Sequence, residues 1–240
     1  MRQLLHALPG LLPLPVANDV RHRLERVLRL PRGATLTLAD GHGRTQQVRW
    51  EGQQFVAIAE VLVRPLDRPW LELGAGVLKG ERWEWLVEKC SEVGVQRIVP
   101  LHLDHGVVRI DPGKAADKVA RWQAIASEAF EQCGRADLPE VAALSTLSAW
   151  LATCGDKTLC VCDERGSALA LTAAVVQGGQ RPVALLIGPE GGLSQAERAQ
   201  AEAAGAVRVT LGGDVLRAET AAIVAVAMAR SAGSWPQPPV

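Results

Sequence analysis

The chain has 240 residues, 48% of them hydrophobic, with 26 Lys or Arg against 26 Asp or Glu. That length suits one large or two small domains with a sizeable core, and zero net charge gives no whole-chain signature of a nucleic-acid binder. No apolar run approaches the ~20 residues of a membrane span. The five Cys include no CxxC and no His at zinc spacing, which argues against a disulfide framework or a zinc site and suits small reduced thiols in a cytoplasmic protein. The charge is uneven. Residues 1–70 hold ten Arg, no Lys and six Asp or Glu, a net of +4, and the remainder is correspondingly acidic. A basic first part suits a polyanion and suits a solvated surface as well.

The first fifteen residues carry Leu pairs but also Pro9, Pro13 and Pro15 and no cleavage-site pattern, so they read as an irregular strand and loop rather than a signal peptide. Residues 17–30 read as a short helix capped by Asn18 or Asp19, with Val20, Leu24, Val27 and Leu28 at helical spacing. Arg21, Arg23, Arg26 and Arg29 lie around that stripe, either as a phosphate-gripping face or as an ordinary solvated one. Thr35-Leu36-Thr37-Leu38 alternates polar and apolar, Asp40-Gly41-His42-Gly43 is a hairpin turn, and 47–50 and 55–59 continue as short strands. The Pro-containing stretch 64–69 breaks regular structure and sets the expected division into domains 1–68 and 69–240.

From Leu71 the texture changes to α/β. Residues 71–77 read as a strand and 80–93 as a helix with Trp83, Leu86, Val87 and Cys90 facing a core. A strand over 96–100 and a helix over 114–133 follow, the helix with Val119, Trp122, Ala126 and Ala129 in one apolar line. Glu128, Gln132 and Arg135 fall at i, i+4 and i+7 and share a face if that helix continues, as a base-edge reader or a surface charge ladder. A strand over 158–162, leading into Asp163, precedes a helix over 165–177.

Two glycine turns at strand ends then dominate. The apolar run 183–187 stops at Gly188-Pro189-Glu190-Gly191-Gly192, and Ser194 opens a helix with Glu197 at capping-box spacing. A strand over 207–211 ends at Gly212-Gly213, and an Ala-rich helix runs over 219–230. Ligands of parallel α/β folds bind at the C-terminal ends of strands, and glycines let backbone N–H groups approach them. Two such turns suit two walls of one pocket, although neither is GxGxxG or a P-loop. The small-residue helix is a candidate dimer face or a buried helix of one subunit. The Pro-rich tail 235–239 reads as disordered or loosely docked.

The Gly188-Pro189-Glu190-Gly191-Gly192 loop and Leu211-Gly212…Leu216-Arg217-Ala218-Glu219-Thr220-Ala221 resemble the signature of the ribosomal RNA small-subunit methyltransferase E family, within the SPOUT superfamily. The stretches around His22 to Arg29, Lys79 to Val95 and Glu128 to Arg135 are similar to that family too. The resemblance implies an α/β fold: an N-terminal PUA-like β-barrel that binds RNA and a C-terminal SPOUT domain with a trefoil knot. It implies S-adenosyl-L-methionine as cofactor, methylation of N3 of a uridine in 16S ribosomal RNA near the decoding centre, the assembled small ribosomal subunit as substrate, a homodimer, no metal and no membrane. Carried onto this sequence, the cofactor site is Leu186, Ile187, Gly188, Pro189, Glu190, Gly191, Gly192, Leu211, Gly212, Leu216 and Thr220. Arg217 and Glu219 are the catalytic candidates, with Glu219 or a water as the base. His22, Arg26, Arg29, Glu128, Gln132 and Arg135 are the RNA-binding candidates. The chain departs from the family pattern at Asp214, where a basic residue is usual, and at His105, where Arg is expected. A SPOUT enzyme acting on another RNA nucleotide, or an RNA-binding module without activity, are the alternatives.

Overall fold

A computed structural model describes residues 3–6, 14–66, 69–163 and 169–232. The tail at 235–239, and residues 165–168 of the expected 165–177 helix, lie outside the described residues. The chain divides into two compact units, Met1–Leu66 with Phe130–Leu138, and Asp67–Ala129 with Pro139–Val240. Residues 130–138, expected in the second domain, thus belong with the first unit.

In the first unit β1 (Gln3–Leu5), β2 (Leu14–Pro15), β3 (Thr35–Ala39), β4 (Arg44–Trp50), β5 (Gln54–Ala57) and β6 (Leu62–Val63) form one sheet in the order β1-β3-β4-β5-β2, with β6 also on β4. Alternation fixes its buried face: Leu36, Leu38, Val48, Trp50 and Phe55 join Leu4 and Leu24 in the core. The hairpin turn closes because Asp40 Oδ1 accepts from the backbone N–H of His42 at 2.8 Å and of Arg44 at 3.0 Å. Residues 130–138 pack onto this unit through hydrogen bonds. Gly43 N–H donates to Ala136 O at 2.9 Å, Gln3 Nε2 to Arg135 O at 2.8 Å, and Arg23 grips both oxygens of Glu131 at 3.0 and 2.6 Å. At Gly41 (φ 77°) a Cβ would stand 2.8 Å from that of Leu138, so this approach requires glycine.

The helix expected over 17–30 is instead α1 (Asn18–His22) followed by a π-helical turn, Arg23–Val27. Ala17 occupies the N-cap with no side-chain cap, and Asn18, the expected cap, accepts from Arg21 inside the helix. The Leu28 N–H to Arg23 O bond is i→i+5, and the wider turn rotates the stripe, so Leu24 is buried but Val27 is 66% exposed.

The second unit is a parallel sheet in the order β10-β8-β7-β12-β11-β13, with β9 beside β8. Its strands are β7 (Leu71–Gly76), β8 (Arg97–His102), β9 (Glu140–Val141), β10 (Ser145–Thr146), β11 (Thr158–Cys162), β12 (Val183–Ile187) and β13 (Val207–Val209). Five of these follow the expected strands; β9 and β10, two residues each, carry no sequence pattern. The helices are α2 (Glu81–Glu92), α3 (Pro112–Cys133), α4 (Leu147–Leu151), α5 (Leu171–Gly178), α6 (Gln195–Ala203) and α7 (Ala218–Ala232). Alternation along β12 sends Val183, Leu185 and Ile187 to the face covered by α2, α5 and α7, and Ala184 and Leu186 to the face covered by α4 and α6. Trp83 is a core residue, 5.3 Å from the Trp122 ring. The helix α3 stops at Cys133, before Gly134 at φ 72°, so it does not carry Arg135 onto the face of Glu128 and Gln132. Ala222, Ala225, Val226 and Ala229 of α7 are buried inside the unit. No helix among the described residues is long and apolar enough to cross a membrane, and no group of His, Cys, Asp and Glu among them is arranged to hold a metal.

Candidate active site

The parallel strands β12, β11 and β13 end together at a cleft of about 480 Å3, to which the starts of α2 and α7 also contribute. This is where the ends of strands and the beginnings of helices leave backbone groups without regular partners. The first wall is Ile187, Gly188, Pro189, Glu190, Gly192 and Leu193; the second runs from Val209 through Gly212, Leu216 and Arg217 to Glu219 and Ala221. Arg82, Cys162, Asp163 and Arg198 complete the lining.

Each wall has a local cause. Ser194 caps α6 by accepting from Glu197 N–H at 3.2 Å, while Glu197 Oε2 accepts from Ser194 N–H at 2.7 Å, the reciprocal box its spacing predicts. Glu197 Oε1 also accepts from Asp104 N–H at 2.7 Å, tying the loop after β8 to that helix start. In the first wall a Cβ on Gly188 would stand 2.9 Å from backbone atoms of Gly192 and Leu193, and Gly192 has φ 69°. The turn therefore closes only with glycine at both positions. In the second wall Thr210 Oγ1 donates to Gly212 O at 2.8 Å and accepts from Gly212 N–H at 3.2 Å.

The charged groups are few and unequal. Asp163 and Arg198 pair at 2.8 Å. Glu219 is 6% exposed, and its Oε2 has no hydrogen-bond partner among the described residues. A buried carboxylate oxygen left so is costly unless a ligand supplies a donor. Its other oxygen stands 3.9 Å from Arg82 Nε, and Arg82 Nη1 stands 3.6 Å from Glu190 Oε1. Arg217 and Asp214 are exposed at the cleft. Burial pushes the Cys162 thiol well above its ordinary range, which leaves it a neutral wall group at physiological pH.

Of the expected cofactor residues, Ile187, Gly188, Pro189, Glu190, Gly192, Leu211, Gly212 and Leu216 line this cleft, as do both catalytic candidates, Arg217 and Glu219. Leu186 does not: alternation turns it to the α4 and α6 face, where it is fully buried. Gly191 and Thr220 are outside the lining as well, and a Cβ on Gly191 would stand 2.9 Å from that of His105. His22, Arg26 and Arg29 are exposed in the first unit, Arg29 in a left-handed conformation with φ 50°. Glu128 and Gln132 are exposed on α3, whereas Arg135 is buried and paired with Asp137 at 2.8 Å. Sequence reasoning missed Arg82, Arg198 and Thr210. The rule that singled out the glycine turns, position at a strand's C-terminal end, also covers Arg82, which stands in the first turn of the helix after β7.

A family model described as RNA methyltransferase domain matches residues 66–230. The ribosomal RNA small subunit methyltransferase E of Synechocystis sp. is 32% identical over 86% of this chain and 69% of its own. The chain belongs to the ribosomal RNA small subunit methyltransferase E family. The Bacillus subtilis member of this family is 33% identical over 64% of this chain, a match that spans 62% of that protein. Among solved structures, a Legionella pneumophila methyltransferase in complex with the cofactor SAM is similar at 32% identity and a TM-score of 0.85, covering 97% of each chain. A ribosomal RNA small subunit methyltransferase E from Neisseria gonorrhoeae bound to S-adenosyl methionine is similar at 27% identity and a TM-score of 0.79, covering 96% of each chain. In this family member the two glycine turns and the start of α7 thus enclose one cleft within the second unit.

Proposed function

We propose that this chain transfers a methyl group from S-adenosyl-L-methionine to N3 of a uridine in 16S ribosomal RNA near the decoding centre, acting on the assembled small subunit. The observation that carries this reading is Glu219, a residue lining the cleft between the two glycine turns whose buried Oε2 has no hydrogen-bond partner among the described residues. The residues present suit the cofactor. The cleft volume of about 480 Å3 falls in the ~300–1,000 Å3 range of small-molecule sites. Ile187, Leu193, Val209 and Leu211 offer apolar surface to a purine, the backbone at Gly188, Gly192 and Gly212 comes close without side chains, and Glu190, Asp214 and Glu219 complement a cationic ligand. When bound, the cofactor supplies an electrophilic methyl group on a sulfonium.

The rest falls to the chain. The acceptor nitrogen lies on the Watson–Crick edge and carries a proton, so the base must leave its stack to reach the cleft. The Glu219 carboxylate accepts that proton. Arg217, exposed at the cleft, stabilises the negative oxygen that develops on the uracil. Holding acceptor and methyl in line contributes the larger part, about 7–11 kcal/mol in well-oriented systems. His22, Arg26 and Arg29, all exposed, contact RNA phosphates, and Glu128 and Gln132 contact RNA from α3. Arg135, engaged with Asp137, supports its local fold instead. The first unit is a PUA-like RNA-binding barrel, the second a knotted SPOUT domain, and two chains form a cytoplasmic homodimer.

The test is methyl transfer from labelled S-adenosylmethionine to small subunits that lack the modification, beside naked 16S RNA, with nucleoside analysis. Label recovered as 3-methyluridine from the subunits is the expected result. Label in another nucleoside points to a different RNA target. No transfer and no cofactor binding points to an RNA-binding module.

A further inference from the structure

His105 lies outside the cleft lining, and yet its ring is engaged with the first wall. Its Nδ1 is 3.0 Å from Gly191 O and 3.2 Å from Gly192 O. Both partners are carbonyl oxygens, which only accept, so Nδ1 must carry the proton. The ring lies close against Gly191, where a Cβ would stand 2.9 Å from that of His105. The same short loop makes two more ties to the start of α6: Ser194 Oγ donates to Asp104 Oδ2 at 2.6 Å, and Asp104 N–H donates to Glu197 Oε1 at 2.7 Å. Two adjacent residues of the loop after β8, Asp104 and His105, are therefore tied to the end of the glycine turn and to the helix start that follows it.

We propose that His105 is a positioning residue for the cofactor site: it sets the peptide planes of the Gly191–Leu193 segment, so that the Gly192 N–H closes the turn and the Leu193 N–H is presented. In a trans peptide the carbonyl and the next N–H point to opposite sides of one rigid plane. Holding Gly191 O fixes the Gly192 N–H, which donates to Pro189 O at 2.8 Å and closes the turn. Holding Gly192 O turns the Leu193 N–H away from His105, and Gly192 and Leu193 both line the cleft while His105 does not. Glycine at both carbonyl positions leaves these planes free to rotate, and a rotated plane would place a carbonyl where a donor is needed. A single Nδ1–H shared by two carbonyls removes that freedom, which cuts the ordering cost of ligand binding. The inference rests on the reading of this cleft as the S-adenosylmethionine site.

The test uses the full chain and three substitutions. Asn places its side-chain N–H where His Nδ1 stands, whereas Asp places an acceptor there and Ala removes the group. Calorimetric titration with S-adenosylmethionine is expected to give a Kd within about threefold of the parent for His105→Asn and raised at least tenfold for His105→Asp and His105→Ala. In the ligand-free chain, nitrogen NMR of His105 is expected to show the Nδ1–H tautomer, and amide exchange at Gly192 and Leu193 is expected to quicken in His105→Asp but not in His105→Asn. Unchanged affinity and unchanged exchange in His105→Asp overturn the proposal, as does an Nε2–H tautomer. If the parent chain binds no S-adenosylmethionine, the cofactor reading has failed, and tautomer and exchange still decide whether His105 sets the turn.

Discussion

Arg82 Nε stands 3.9 Å from Glu219 Oε1, while Nη1 of the same guanidinium stands 3.6 Å from Glu190 Oε1. Both separations exceed hydrogen-bond length, so one half-exposed cation is shared electrostatically between a carboxylate of the first wall and a carboxylate of the second. Removing it leaves two carboxylates facing one cleft. Arg82→Ala is expected to lower the rate of methyl transfer by roughly 10–100-fold, and Arg82→Lys by less because the charge is kept. Single-turnover rates with saturating cofactor read this directly.

Glu219→Gln keeps the shape of the side chain and removes its capacity to take a proton. Positioned acid–base groups contribute about 10²–10⁴-fold, and a loss in that range is expected in kcat with cofactor affinity changed far less. The melting temperature is expected to hold or rise, because the carboxylate replaced is buried with one oxygen unpartnered. A rate within threefold of the parent would assign proton removal to water.

A methyl group at Gly188 would meet the backbone of Gly192 and Leu193 at 2.9 Å, and backbone cannot swing aside as a side chain can. Gly188→Ala is expected to raise the Kd for S-adenosylmethionine at least tenfold. Gly155→Ala, where a Cβ meets open space, serves as the control and is expected to leave it unchanged.

Arg135 and Asp137 form a buried pair, with Nη2 2.8 Å and Nε 3.3 Å from the carboxylate oxygens. Breaking a buried ion pair by removing one partner costs about 3–5 kcal/mol. Arg135→Ala is expected to lower the stability of the first unit by that order in urea unfolding. A variant of full stability that loses RNA affinity would instead make Arg135 an RNA contact.

Burial pushes the Cys160 thiol up to about 11 from its ordinary value near 9. Between those values the unfolded chain ionises a thiol that the folded chain keeps protonated, so the unfolded state binds fewer protons and stability falls as pH rises from 9 to 11. Urea unfolding at pH 8, 9.5 and 10.5 is expected to show that decline, with a shallower slope in Cys160→Ala. Below pH 9 the contribution is fully present.

The sequence by itself determined the elements whose patterns are local. The Val183–Ile187 run, the capping box from Ser194 to Glu197, and the Trp83, Leu86, Val87, Cys90 stripe each follow from spacing and backbone chemistry within a dozen residues, and each stands where expected. The two glycine turns were legible for the same reason, and with them most of the cleft. Only the tertiary structure decided the rest. The face on which Leu186 lands depends on which helices cover β12, and the fate of Val27 depends on one wide turn that no local preference announces. Arg82 meets Glu190 and Glu219, and His105 meets Gly191 and Gly192, across separations of 86 to 137 residues in the chain. Such meetings have no periodicity to betray them. They arise because parallel strands bring distant loops to one end of a sheet, and there buried polar groups must find partners wherever the fold supplies them.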